Sequence, residues 1–304
     1  MYSLSTCWNS SRHTDGRAML REIRGLGFDY AELSHGIRLS LVPGILDAVN
    51  AGEIKISTLH NFCPLPVGVT QAAPNIYRFT STDDRERDKA FRQTIQTLDF
   101  AARVKARVVV LHLGSVDMKE YTERLLTLAE AGQRDTPKYR KLCAEAETRR
   151  EAKKEKHAEF AYAILRRLEE EARQRGLLLG VENREAVEEI PFESDFQFLF
   201  FDFPAGTVKY WHDTGHAQIK ENLGFIQHAM HLESLAGELA GFHVHDVEFP
   251  GRDHRPPGAG TIDFVALKPF VQPDHLKVLE MSPTVTAEEI QAGVAHLKSI
   301  WGGV

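Results

Sequence analysis

The sequence has few cysteines, and none is placed to pair locally. Cys7, Cys63 and Cys143 form no CxxC motif and no even framework, which excludes a disulfide scaffold and fits reduced thiols inside a cell. No apolar run is long enough to cross a bilayer, so a membrane-spanning helix is excluded. There is no excess of positive charge: 37 Lys and Arg against 43 Asp and Glu give a net charge of -6. Nothing global therefore draws the chain to nucleic acid, whose phosphates demand clustered Lys and Arg. The opening MYSLSTCWNSSRH has neither a basic flank nor an apolar segment, so no secretory signal is expected and a cytoplasmic location is. A Pro/Gly/Ser-rich linker is also missing, so one domain over residues 1–304 is expected.

What is present is alternation. Short apolar runs are followed by amphipathic helical stretches, the pattern of a parallel α/β protein. Residues 15–27, DGRAMLREIRGLG, place Met19, Leu20, Ile23 and Leu26 on one helical face, with Gly27 as the stop. Strands are predicted near 2–7, 29–34, 54–60, 107–112, 177–182, 208–213, 241–246 and 275–280. Eight β/α units in a chain of this length predict a single (β/α)8 barrel. The last helix is signalled by the capping-box pair Thr286 and Glu289 and the stripe Ile290, Val294, Leu297 and Trp301. After the fourth strand, residues from about 115 to 158 form a helical insertion. Its stretch KYRKLCAEAETRREAKKEK carries eight basic side chains against four Glu; a solvated helical hairpin is expected, with a phosphate- or partner-binding face, a lid or an oligomer contact as the functional alternatives.

The chemistry collects at strand ends. Six consecutive strands finish in a residue type that binds metals: His60, His112, Glu182, Asp213, then His243 and His245, then Glu280. Residues two apart share a face of a strand. Ile54, Ile56, Thr58 and His60 are thus read as one face, and likewise Val108, Val110 and His112, or Leu276, Val278 and Glu280. These faces are assigned to the barrel interior at its carboxyl end, where such barrels keep their sites. Three carboxylates buried together need positive charge. Arg184 and Arg252 are the basic side chains near these ends, and a divalent cation is the simplest balance. His212, out of phase with Asp213, is read as packing toward a helix. His243 and His245 share parity, so facing leaves both open.

The segments GVENRE, HDTGH, FHVHD, RDHRPPGAGTIDF and VLEMSP, one per strand and in this order, resemble the xylose-isomerase-like TIM-barrel superfamily. That group holds ketose 3-epimerases, sugar isomerases, inosose dehydratases and zinc-dependent abasic-site endonucleases. The resemblance implies a metal site of Glu182, Asp213, His243 and Glu280. His243 is chosen because the family reads His, apolar, polar, Asp from that position. It also implies that Glu182 and Glu280 remove and return a proton next to a carbonyl, and that His216 contacts substrate oxygen, with Gly215 allowing the backbone to turn. His60, His112, Arg252 and His254 are expected on the substrate side.

The implied function is a metal-dependent sugar or polyol isomerase or epimerase. Its partner is a small carbohydrate rather than nucleic acid or a membrane, and self-association is left open. Mn²⁺ heads the list of cofactors, followed by Mg²⁺, Co²⁺ and Zn²⁺. The alternatives are a zinc phosphodiesterase of the abasic-site type, a dehydratase and a non-catalytic sugar-binding barrel. Against the phosphodiesterase stands Arg252, where its motif has Asp.

Overall fold

The computed structural model describes residues 1–303. The barrel strands are β1 Tyr2–Ser5, β2 Tyr30–Leu33, β3 Lys55–His60, β4 Val108–Leu111, β5 Leu178–Glu182, β6 Val208–Asp213, β7 Leu239–Val244 and β8 Leu276–Leu279. All pair in parallel with their sequence neighbours, and β8 closes on β1. Every strand end lies within two residues of its predicted place. The first helix, Gly16–Gly25, buries Met19, Leu20 and Ile23 and is capped by Asp15, which accepts from the Arg17 and Ala18 amides. The last, Ala287–Trp301, has the expected Thr286–Glu289 capping box.

Inside the barrel, Val108, Val110, Trp211, Leu276 and Val278 form a separate apolar cluster beneath the polar strand ends. It bears out the facing assigned to β4 and β8, but β3 departs from it. The register against β2 shifts, so that Ala31 pairs with Ile56 while Glu32 pairs with Thr58. A bulge flips the faces of a strand. Ile54 and Ile56 consequently pack in the outer core, whereas Thr58 donates to Glu32 inside the barrel.

Two short two-stranded sheets sit beyond the strand ends: Gly114–Ser115 with Glu189–Ile190, and the hairpin Asp246–Glu248 with Arg252–Arg255. The Asp246 carboxylate accepts from the amides of Gly258, Gly260 and Ile262. The glycine-rich turn at 257–264 is thereby consumed internally.

The insertion contributes helices Thr122–Glu130 and Pro137–Glu151 and runs into Lys154–Gln174. It is not a freely solvated hairpin. Leu125 and Ala146 are fully buried, and Tyr139 donates to the Leu223 carbonyl at 2.9 Å. Arg150, inside the basic run, is buried and paired with Asp195 at 2.5 Å. Lys138, Arg140, Lys141 and Arg149 do face solvent. Among the described residues no helix is long and apolar enough to cross a membrane.

His212 faces outward as expected, into a buried polar relay. One set of protons satisfies it: His231 Nε2 donates to the Tyr210 oxygen (2.8 Å), Tyr210 to His212 Nδ1 (2.7 Å), His212 Nε2 to His228 Nε2 (2.9 Å), and His228 Nδ1 to Gln218 Oε1 (3.2 Å). This arrangement requires neutral rings. Burial, then the charge of His231, lowers His228 to about 3; burial, then Lys220, lowers His231 to about 3. Both lie below the ordinary 6.5, so the unfolded chain takes up protons first as pH drops. Their stabilisation is complete above pH 6.5 and is lost as pH falls toward 3. Urea midpoints measured across that window should decline steadily on acidification, and His228→Gln should decline less steeply.

On the helix Thr214–Leu223, Lys220 is fully buried, with Nζ 2.8 Å from both oxygens of Glu193. Burial lowers its pKa, and Glu193 pushes back.

Candidate metal centre

The parallel register sets the site. Asp213 at the end of β6 pairs with His243 on β7, and His243 pairs with Val278 on β8. The side chains of Glu182, Asp213, His243 and Glu280 therefore converge, each offering a ligand atom within 4.8 Å of all the others. His243 Nδ1 lies 2.9 Å from Glu182 Oε1, 3.1 Å from Glu280 Oε2 and 4.0 Å from Asp213 Oδ2. Its Nε2 lies 3.0 Å from Glu32 Oε2. Beside this group, His112 Nε2 is 2.5 Å and His60 Nε2 3.4 Å from Glu182 Oε2, and the two imidazole nitrogens are 3.1 Å apart.

Charge is concentrated here. Burial alone would raise the Glu182 carboxyl, but the charges of His112 and His243, with hydrogen bonds from both, hold it well below the usual carboxylate range. Burial would lower His243, yet Glu280, Glu32 and Glu182 raise it well above an ordinary imidazole. A neutral imidazole has a single N–H, whereas His243 meets carboxylates at both ring nitrogens. Only the protonated ring, with an N–H at each nitrogen, satisfies both sides. A divalent ion held by Nδ1 and the oxygens of Glu182, Asp213 and Glu280 would take the place of the Nδ1 proton and leave Nε2–H for Glu32. The residues fit such an ion.

Asp213 is held from three sides. Its Oδ1 accepts from the His216 amide at 2.7 Å, capping the helix Thr214–Leu223, and its Oδ2 accepts from His245 Nε2 at 3.0 Å. Its own amide donates to Asn183 Oδ1. His245 is fixed as the Nε2–H tautomer because its Nδ1 accepts from the His254 amide at 2.9 Å. Geometry thus separates the two histidines of like parity: His243 faces the carboxylate cluster and His245 orients Asp213. By contrast, Glu280 has His243 as its side-chain partner and no other among the described residues.

Gly215 was expected to serve a turn, but it lies within a helix. A Cβ there would sit 1.9 Å from His245 Cε1. The missing side chain makes room for the ring that orients Asp213. Gly215→Ala should displace His245 and cost about 1–3 kcal/mol of stability, as overpacking does, with weaker divalent-ion binding; thermal denaturation and metal titration would read the two effects.

Above the cluster lies a cavity of about 450 Å³, lined by His60, His112, Glu182, His216, His254 and Glu280 among others. His35, Arg184, Glu185 and Asp253 also face it. Arg184 is buried, bonded to Glu189 at 3.0 Å and 3.6 Å from Glu182. His254 stacks on His245 with ring centres 4.3 Å apart. Burial would lower His254, but Asp253, then Glu280, raises it to about 9. Arg252 is not brought in. Its side chain is 66% exposed and pairs with Glu130 of the insertion at 3.1 Å. Strand alternation would put it with His254, but His254 takes a left-handed backbone (φ 53°) that breaks the alternation. Asp253 and His254 therefore both face the cavity and Arg252 faces away. A larger cavity, about 580 Å³, opens at the amino ends of the strands near Tyr2, Phe28, Tyr30 and Val294; the cluster of ligand-type side chains is at the other end.

A profile of the xylose isomerase-like TIM barrel family matches residues 20–300. The chain belongs to the xylose isomerase-like TIM barrel family. No curated protein sequence matches it. Among solved structures, a D-tagatose 3-epimerase-like protein is 16% identical, with 98% of this chain and 96% of that one covered at a TM-score of 0.69. The 3-keto-D-glucoside 4-epimerase of E. coli is 15% identical, with 98% of each chain covered at 0.68. D-allulose 3-epimerase from Methylomonas sp., solved with D-allulose, is 13% identical, with 99% and 93% covered at 0.64. At these identities the likeness is one of fold. For this family member, four functional candidates had no periodic signal in the sequence: His35 and Glu185 lie on loops beyond strand ends, Asp253 lies on the hairpin strand Arg252–Arg255 beside the left-handed His254, and Glu32 sits behind His243. The cue for Glu32 was an acid closing the apolar strand FDYAEL.

Proposed function

We propose that this chain is a divalent-metal-dependent isomerase or epimerase of a sugar or sugar-like polyol, working by proton transfer at a carbon next to a carbonyl. One observation carries the reading: Glu182 and Glu280, from strands three apart around the barrel, bring their carboxylates to the same imidazole nitrogen at the floor of a cavity. Glu182, Asp213, His243 and Glu280 would hold the ion, and their mixed N and O donors suit Mn²⁺, with Mg²⁺, Co²⁺ or Zn²⁺ as alternatives. When bound, it supplies Lewis-acid polarisation of substrate oxygens.

The remaining work falls to side chains. Of Glu182 and Glu280, the one in carboxylate form takes the proton from carbon and the other, protonated from solvent, returns one from the opposite side. Substrate stereochemistry decides which does which, and proton exchange with solvent resets the pair. His216 and His254 line the cavity and bind substrate hydroxyls. The epimerase names and the D-allulose complex among the structural neighbours support a carbohydrate.

A second reading has its own observation. His60, His112 and Glu182 place three donor atoms within 3.4 Å of one another, a second donor set sharing Glu182, as a multinuclear phosphodiesterase would need. Incubation with Mn²⁺ and ketoses in D₂O separates the two. Carbon-bound deuterium detected by NMR supports the isomerase reading. No exchange, together with zinc-dependent cleavage of an abasic duplex, overturns it. Water loss from a polyol would mark a dehydratase, and binding without turnover a sugar sensor; either result also overturns it.

A further inference from the structure

Glu32 lies outside the four-residue cluster and does not line the cavity, yet it is fully buried. Its Oε2 accepts from Thr58 Oγ1 at 2.8 Å and sits 3.0 Å from His243 Nε2. Its Oε1 is buried with no hydrogen-bond partner among the described residues. A half-satisfied carboxylate below other carboxylates is costly, and an apolar side chain of similar volume would fill the space without that cost. Packing therefore does not account for the acid. The fold also builds a bulge to serve it: the register shift between β2 and β3 puts Thr58 opposite Glu32 and turns the hydroxyl into the barrel. With the Thr58 hydroxyl donating to Oε2 and His243 Nε2 beside it, the arrangement is that of an anion accepting an O–H and an N–H bond.

We infer that Glu32 is a positioning residue for the metal centre: it holds His243 as the Nε2–H tautomer, aims the Nδ1 lone pair into the space between Glu182, Asp213 and Glu280, and strengthens that nitrogen as a donor. A carboxylate behind a ligating imidazole fixes ring orientation and raises its basicity. This inference rests on the metal-binding reading of the same four residues. Glu32 touches no substrate; it acts through His243.

The test uses the full chain, stripped of metal and titrated with Zn²⁺ against a chromophoric chelator. The tautomer of His243 is read in the Zn²⁺-loaded chain from ¹⁵N shifts of its ring, assigned by comparison with His243→Gln. Glu32→Ala should weaken Zn²⁺ binding roughly 10–100-fold and mix the two tautomers. Glu32→Gln, which keeps an acceptor but not the charge, should keep the Nε2–H tautomer and still lose about fivefold or more. Thr58→Val, which frees Glu32 to move, should also weaken binding. Glu32→Gln and Thr58→Val both binding Zn²⁺ within about twofold of wild type would overturn the inference, whether or not Glu32→Ala folds. If the wild-type chain itself takes up no divalent ion, the proposed function fails first and this inference with it. Uptake by wild type with unchanged variants sinks only the positioning role.

Discussion

Glu182→Gln should reduce exchange of carbon-bound hydrogen in D₂O by roughly 10²–10⁴-fold, the range a positioned base contributes. Glu280→Gln should fall in the same range. Both changes keep side-chain volume and remove the group that takes or returns the proton. Excess Mn²⁺ should restore neither, because the missing step is proton transfer. Asp213→Asn is the informative contrast: Asp213 is bonded to His216 and His245 and faces the cluster, so its loss should appear as weaker metal binding that high Mn²⁺ partly overcomes. Arg252→Ala should leave turnover unchanged, since its guanidinium pairs with Glu130 on the outer surface. If Glu182→Gln and Glu280→Gln exchange as fast as wild type, the two-carboxylate mechanism is wrong.

Lys220→Met should be the most destabilising single change far from the chemistry. The ammonium is fully buried and bonded to both oxygens of Glu193. Removing it strands a carboxylate in the interior, which costs about 3–5 kcal/mol and should lower the thermal midpoint on the order of 10 °C. Replacing both partners, Lys220→Met with Glu193→Leu, should recover much of that loss, because the penalty comes from the unpaired charge rather than from the pair's absence. Differential scanning calorimetry of the single and double variants would decide it; equal midpoints for the two would show that the pair is not what holds this region.

The barrel was legible because its signals are local. Eight apolar runs with a helical period between them suffice, and the carboxyl ends of those runs carry the ligand-type residues. Three readings failed, two of them where local rules are broken by backbone geometry invisible in composition. On β3 a bulge splits Ile56 from Thr58, so parity carried back from His60 misassigns Ile54 and Ile56. At the hairpin, one left-handed residue, His254, sends Arg252 outward and Asp253 inward. At Gly215 the constraint is a ring from a distant strand rather than a turn. The insertion was read as solvated because eight basic residues crowd its stretch 138–156, yet Arg150 turns inward to an acid 45 positions away. Long-range pairing of this kind leaves no trace in periodicity. The network behind the proposed ligands, Glu32 to His243 and His254 through His245 to Asp213, is of the same kind.

The double duty of Asp213 bears on how such a chain can change over generations. Its carboxylate also starts a helix and receives an imidazole hydrogen, so selection for folding alone would preserve it even after turnover had been abandoned. Glu280, answerable to one neighbour, enjoys no such protection. A descendant drifting toward a silent role would therefore lose the acid at 280 first, and an intact Asp213 in a relative would say little about whether that relative still turns over a substrate.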